Sequence, residues 1–88
     1  MLKSFSQEAK TLKEGVYQHY SGKQYEVLGV GRHSESLEEV VIYRALYAPY
    51  DLWVRPLGMF LEEVVIDGKV ILRFTFVKSN NLGGFGAV

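Results

Sequence analysis

The sequence predicts a mostly β domain, a small five-stranded antiparallel barrel of the SH3-like kind preceded by one short helix. Three observations carry this. The apolar period changes at Gly15, from the three-and-four spacing of a helix face to runs rich in β-branched and aromatic residues. Five such runs follow, each bounded by turn residues, and residues 15–78 are too few for a two-sheet sandwich of ordinary size. Bending the sheet into a barrel removes the free edges that a flat meander would leave.

Leu2, Phe5, Ala9, Leu12 and Val16 recur at helical spacing, and Ser4 with Gln7 matches a capping box, so residues 6–13 are expected to be helical. Gly15 is placed as the helix stop. The polar face is not rich in Lys or Arg, which sends the apolar stripe to a core or a protein partner and away from a membrane. Strands are expected over residues 16–20, 25–32, 40–47, 52–55 and 70–77. Ser21-Gly22-Lys23 is a tight connection, and Ala48-Pro49-Tyr50-Asp51 suits a turn with Pro at its second position. Gly29 and Gly31 interrupt the second strand, where missing side chains mark a bend, a bulge or the close approach of another group, and bending is the simplest of these. Pro56 stops the fourth strand, and residues 57–65 read as a short helical turn or irregular segment before the hairpin-like Asp67-Gly68. In the last run Val70, Leu72, Phe74 and Phe76 alternate with the other residues and are assigned to the core. The organisation is thus a helical extension over residues 1–14, a barrel over 15–78 and a glycine-rich mobile tail over 79–88.

Composition narrows the function. At 88 residues, with 48% hydrophobic residues, the chain makes one small globular domain. Ten Lys and Arg balance ten Asp and Glu, so the basic surplus that phosphate neutralisation asks of a nucleic-acid binder is missing. Without cysteine there is no disulfide framework, thiol nucleophile or cysteine zinc site. No run approaches the roughly 18 apolar residues of a membrane span, and no signal-peptide pattern opens the chain, so a cytoplasmic location is expected. No cofactor is implied: Gly29-Val30-Gly31 is followed by no Lys-Ser/Thr and no helix, unlike a phosphate loop.

The runs Gly15-Val-Tyr-Gln-His-Tyr, Tyr25-Glu-Val-Leu-Gly-Val-Gly-Arg-His-Ser-Glu, Val41-Ile-Tyr-Arg-Ala-Leu-Tyr and Leu52-Trp-Val-Arg-Pro-Leu-Gly-Met-Phe closely resemble the small bacterial family catalogued as domain of unknown function 1653. The resemblance covers residues 15 to about 76. It implies a compact, mostly β bacterial protein and brings no activity with it. Residues 1–14 and the glycine-rich tail depart from the usual family pattern, so nothing carries over to them.

Several constellations bear on chemistry. His33-Ser34-Glu35 holds an imidazole, a hydroxyl and a carboxylate, but a working triad needs contact geometry that consecutive residues rarely supply, and Ser34 or Glu35 closing a loop onto backbone amides explains the motif more simply. His19, His33 and Glu35 have the composition of a metal site, yet a strand rising roughly 3.3 Å per residue holds the two histidines about 30 Å apart. The arginines are more informative. A tight turn at residues 48–51 pairs strand residues whose numbers sum to 99, which sets Arg44 opposite Arg55 and Trp53 opposite Leu46, with Gly29 beside Arg44. Two facing guanidinium groups need a negative group between them, either Glu35, Glu26 or Glu62, or an anionic ligand. Tyr20, Tyr25, Tyr43, Tyr47, Trp53 and Phe60 are numerous enough to line a groove, although most must serve the core and Trp53 is expected to be a buried anchor.

Three functional readings result. The first is a binding module in which Arg44, Arg55 and Trp53, clustered with His33 or Glu35, recognise a small anion or a peptide. The second is a small hydrolase-like enzyme using His33, Ser34 and Glu35. The third is an accessory subunit docking on a larger protein through the N-terminal helix.

Overall fold

The computed structural model describes residues 4–79. Over that span the chain runs α1 (Gln7–Thr11), β1 (Gly15–His19), β2 (Gln24–Arg32), β3 (Glu39–Ala45), β4 (Leu52–Pro56), α2 (Leu57–Phe60), β5 (Glu63–Ile66), β6 (Lys69–Leu72) and β7 (Phe74–Ser79). Five strands form one antiparallel sheet in the order β4-β3-β2-β1-β7, and β5 with β6 forms a separate hairpin. The mostly β class and the short helix stand. A closed barrel is not found, because β4 and β7 are both edges and do not pair with each other. The expected tail lies outside the described residues, apart from Ser79.

The sheet curls around an aromatic core. Phe60 of α2 stacks on Phe74 of β7 with centroids 4.1 Å apart and planes 8° from parallel. The edges of Tyr17 from β1 and Tyr43 from β3 meet Phe60 at 5.3 and 5.6 Å. These rings, with Val27, Val41, Leu57 and Ala9, make the buried cluster. Phe60, at 1% exposure, fills the gap between the two edges of the curl, so a helical turn stands where a barrel would have its seam.

The helix starts two residues later than the capping box implies. Ser6 is the N-cap, its hydroxyl accepting the Ala9 amide at 3.1 Å. The Ser6 amide and hydroxyl both donate to the Glu39 carboxylate, at 2.6 and 2.7 Å, which ties α1 to the start of β3. Leu12, not Gly15, caps the other end, and Gly15, at φ 144°, opens β1. Ala9 and Leu12 pack on the domain's own core.

Two irregularities set the faces of the sheet. Between Val27, opposite Tyr43, and Gly29, opposite Ile42, the register slips by one residue, so Leu28 is the extra residue of a bulge and both Val27 and Val30 reach the core. Gly29 therefore flanks a bulge and does not lie beside Arg44, while Gly31 keeps regular register opposite Val40. The second irregularity is at Arg73, where the predicted single strand over 70–77 divides. The Arg73 amide donates to the Glu62 carbonyl at 2.9 Å, its carbonyl accepts the Tyr20 amide at 3.0 Å, and its guanidinium pairs with Glu62 at 2.9 Å. Phe74 and Phe76 face the core as assigned, while Val70 and Leu72 are exposed because β6 belongs to the hairpin. Asp67 and Gly68, at φ 50° and 77°, turn that hairpin, and β5 replaces part of the expected irregular segment.

The Ser6 hydroxyl, followed by its amide, favours the ionised form of Glu39 and lowers that carboxyl below its usual 4.5. A depressed carboxylate stabilises the fold fully above its unfolded pKa, and that contribution fades as pH falls through the lower folded value. Glu39→Gln is expected to melt earlier than the parent at neutral pH, with the gap closing as pH drops below 4.5; thermal melts across that range check it, and parallel profiles would refute the tie.

Candidate functional site

One end of the curl brings together residues from five strands. His19 ends β1, Tyr25 lies near the start of β2, Tyr43 is on β3, Trp53 and Arg55 are on β4, and Phe74 begins β7; together they line a cleft of about 130 Å³. Register explains the grouping: Tyr43 pairs with Trp53, Val41 with Arg55 and His19 with Phe74, so these side chains share the concave face.

Arg55 is the charged group of this cleft. Its Nε donates to the Tyr43 hydroxyl at 3.1 Å, and its guanidinium carbon lies 5.6 Å from the centre of the Phe74 ring. No carboxylate among the described residues pairs with it, and none lines the cleft. Among the described residues its one hydrogen bond is that from Nε. A half-buried guanidinium without a counter-charge is a preformed fork for an oxyanion, since its planar donors match carboxylate and phosphate geometry.

Neighbouring groups add donors and positive charge. The Nδ1 of His19 accepts the Ser21 amide at 3.1 Å and contacts the Ser21 hydroxyl at 2.9 Å, which leaves the proton of the neutral ring on Nε2. Burial first, then Arg55 and Arg73, push the His19 pKa below its usual 6.5. The hydroxyls of Tyr25 and Tyr47 meet at 2.6 Å, and burial followed by this bond raises Tyr25 to about 12, so it stays a phenol at neutral pH. The lining is thus aromatic, hydrogen-bond donating and cationic.

The sequence-predicted cluster is not assembled. β3 and β4 pair with numbers summing to 96 because the ladder closes at Ala45 and Asp51, and residues 46–50 loop out through a hydrogen-bonded turn from Tyr47 to Tyr50. Arg44 therefore lies opposite Leu52, on the other face from Arg55, and approaches Glu26 at 3.9 Å. Trp53 faces Tyr43 instead of Leu46 and is 49% exposed, a lining residue and not a buried anchor. His33 and Glu35 sit in the turn beyond Arg32, at the far end of β2 from Tyr25. There His33 Nδ1 accepts the amides of Glu35 and Ser36 at 3.1 and 3.3 Å, and the Ser34 hydroxyl donates to Glu35 at 3.3 Å. The imidazole closes the loop, and Ser34 does not contact it as a nucleophile would. The same arrangement separates His33 from His19 by the length of β2.

Sequence reasoning named Tyr43 only among the groove aromatics and His19 only as a metal candidate, and it missed Arg73 as a neighbour of this end. The His19-Tyr-Ser21 spacing is the legible signal, since a hydroxyl residue two positions on fixes an imidazole through a local turn. Two larger hollows flank α1, of about 420 and 340 Å³. The first is lined by Glu8, Glu38 and Glu39 with leucines and is acidic, and the second is mainly apolar, with Glu8 and Lys13 among its lining.

The family model described as protein of unknown function (DUF1653) matches residues 15–76, a span containing all six cleft residues. The crystal structure of a DUF1653 protein from Bordetella bronchiseptica is similar, with a TM-score of 0.75 and 34% identity over 81% of this chain and 94% of that one. Comparison with curated proteins gives no match.

The positions of the two rings give opposite expectations for truncation. Phe60→Ala should cost about 3–5 kcal/mol, the range for emptying a buried aromatic site, whereas Trp53→Ala, with half of the residue already in water, should cost less than about 2 kcal/mol. Urea denaturation of both variants checks the assignment; equal losses would return Trp53 to the core.

Proposed function

The chain belongs to the DUF1653 family, whose description carries no activity, and from the cleft itself we propose that the domain is a binding module recognising a single anionic group, a carboxylate or a phosphate. The reading treats the curled sheet as a variant of the SH3-like plan, with α2 at the seam. One observation carries it: Arg55 is half-buried with no acid to neutralise it, in a cleft lined by aromatic rings and donors. An unpaired cation in such a place is costly, and binding an anion offsets that cost. Tyr43 and Phe74 fix the fork, Trp53 walls the opening, and His19 adds a further donor.

Size limits the ligand. A cleft of about 130 Å³ is well below the 300–1,000 Å³ of ordinary small-molecule pockets. It equals about four water molecules at roughly 30 Å³ each, enough for one oxyanion head. Whatever carries the anion lies outside.

Trp53 is the sole tryptophan, so its fluorescence reports on the cleft directly. Titration with acetate and with inorganic phosphate at low ionic strength should give a saturable change for at least one anion, weakened about tenfold or more by Arg55→Met, the loss of a charged hydrogen-bonding partner. Arg44→Met should leave it within about twofold, because Arg44 is on the other face. Protonated His19 adds positive charge, so affinity should rise as pH falls from 6.5 through the lowered His19 pKa, and His19→Asn should flatten that rise. Absence of saturation with both anions, or equal loss in the two arginine variants, would overturn the reading.

A further inference from the structure

Resting on that reading, we propose that the anion is an acidic side chain of an extended peptide, which adds as a strand to the edge of β4, left unpaired among the described residues. The strand is an edge, and it flanks the cleft through Trp53 and Arg55. Its hydrogen-bonding phase follows from the closing bond, in which the Ala45 amide donates to the Asp51 carbonyl at 2.9 Å. Successive residues of an antiparallel strand direct their backbone groups to alternate sides. Asp51, Trp53 and Arg55 therefore face β3, and the amides and carbonyls of Leu52 and Val54 face outward. Pro56, with no amide hydrogen, ends the available edge.

Pro56 and the charge of Arg55 blunt one end of this edge and leave the stretch from Leu52 to Val54 without protection. Over that stretch Leu52 and Val54 are 58% and 61% exposed, with no charged side chain and no register shift. An added strand lies about 4.8 Å from β4, with directly opposed Cβ atoms about 5 Å apart. A peptide residue opposite Arg55, with its side chain on the cleft face, brings a Glu or Asp carboxylate to the guanidinium. The residue two positions away falls opposite Trp53 and packs on its exposed ring. Charge complementarity thus selects the occupant, and the small cleft explains why the rest of the ligand lies along the edge.

The test uses acetylated, amidated hexapeptides of alternating Thr and Val with one Glu two positions from a Phe, labelled for fluorescence anisotropy. The Glu peptide should bind at least about tenfold tighter than its Gln counterpart, a preference that Arg55→Met abolishes. Amide exchange at Leu52 and Val54 should slow on binding, and N-methylation of the peptide amides that face β4 should remove affinity. Equal binding of the Glu and Gln peptides, or binding without protection at Leu52 and Val54, overturns the proposal. So does preference for a peptide lacking Glu but ending in a free carboxylate, which would mean capture of a chain terminus. Acetate and phosphate titrations on the same sample separate the two levels: a saturable response to them with no peptide preference refutes strand addition alone, and no response to any probe refutes both.

Discussion

The stack of Phe60 on Phe74 is the contact on which the architecture depends. A chain of this size has few residues with which to exclude water, and large flat rings remove the most apolar surface per residue. Phe60 comes from the helical turn after β4 and Phe74 from the first position of β7, so their contact draws together the two edges of the sheet without any backbone pairing between them. Edge-on contacts from Tyr17 and Tyr43 fix the curl from the intervening strands. The cleft is a by-product of this closure, because it lies where side chains, and not hydrogen-bonded backbone, meet across the gap.

The two arginines of β3 and β4 show how one residue type serves different ends. Arg44 is on the outer face across from Glu26, a partly solvated pair of the sort that contributes about 0–1 kcal/mol. Arg55, three strands before Phe74 in chain order but over its ring in space, has aromatic and phenolic neighbours in place of a carboxylate. Burial, and after it the fields of Arg55 and Arg73, keep His19 neutral more readily than a free imidazole. What distinguishes the site is the local lack of negative charge in a chain whose totals cancel.

Much of the fold was legible from local chemistry. Gly29 signalled the bulge beside Leu28, Asp67-Gly68 the hairpin turn, and Pro56 the end of β4. Register was not legible, because it depended on how many residues the loop after Ala45 expels from the ladder. The sum of 96 in place of 99 is an odd slip of three, and an odd slip exchanges faces, so it moved Arg44 away from Arg55 and Trp53 into the cleft at once. The break at Arg73 was hidden for another reason. Its flanks, Val70 to Leu72 and Phe74 to Val77, are equally β-prone, and only the distant Glu62 and Tyr20 show that the chain turns there.

That break also divides the molecule energetically. The β5–β6 ladder is complete in itself and most of its residues remain exposed, whereas the aromatic core is closed by α2 and β7 on either side of it. Two-stranded ribbons in water have little stability of their own. The hairpin can therefore open as a subglobal unit, at a free-energy cost set by its own turn and ladder, while Phe60 and Phe74 stay stacked. Chain segments joined by Arg73 thus share a covalent path while one side of it belongs to a solvent-exposed ladder and the other to the buried core.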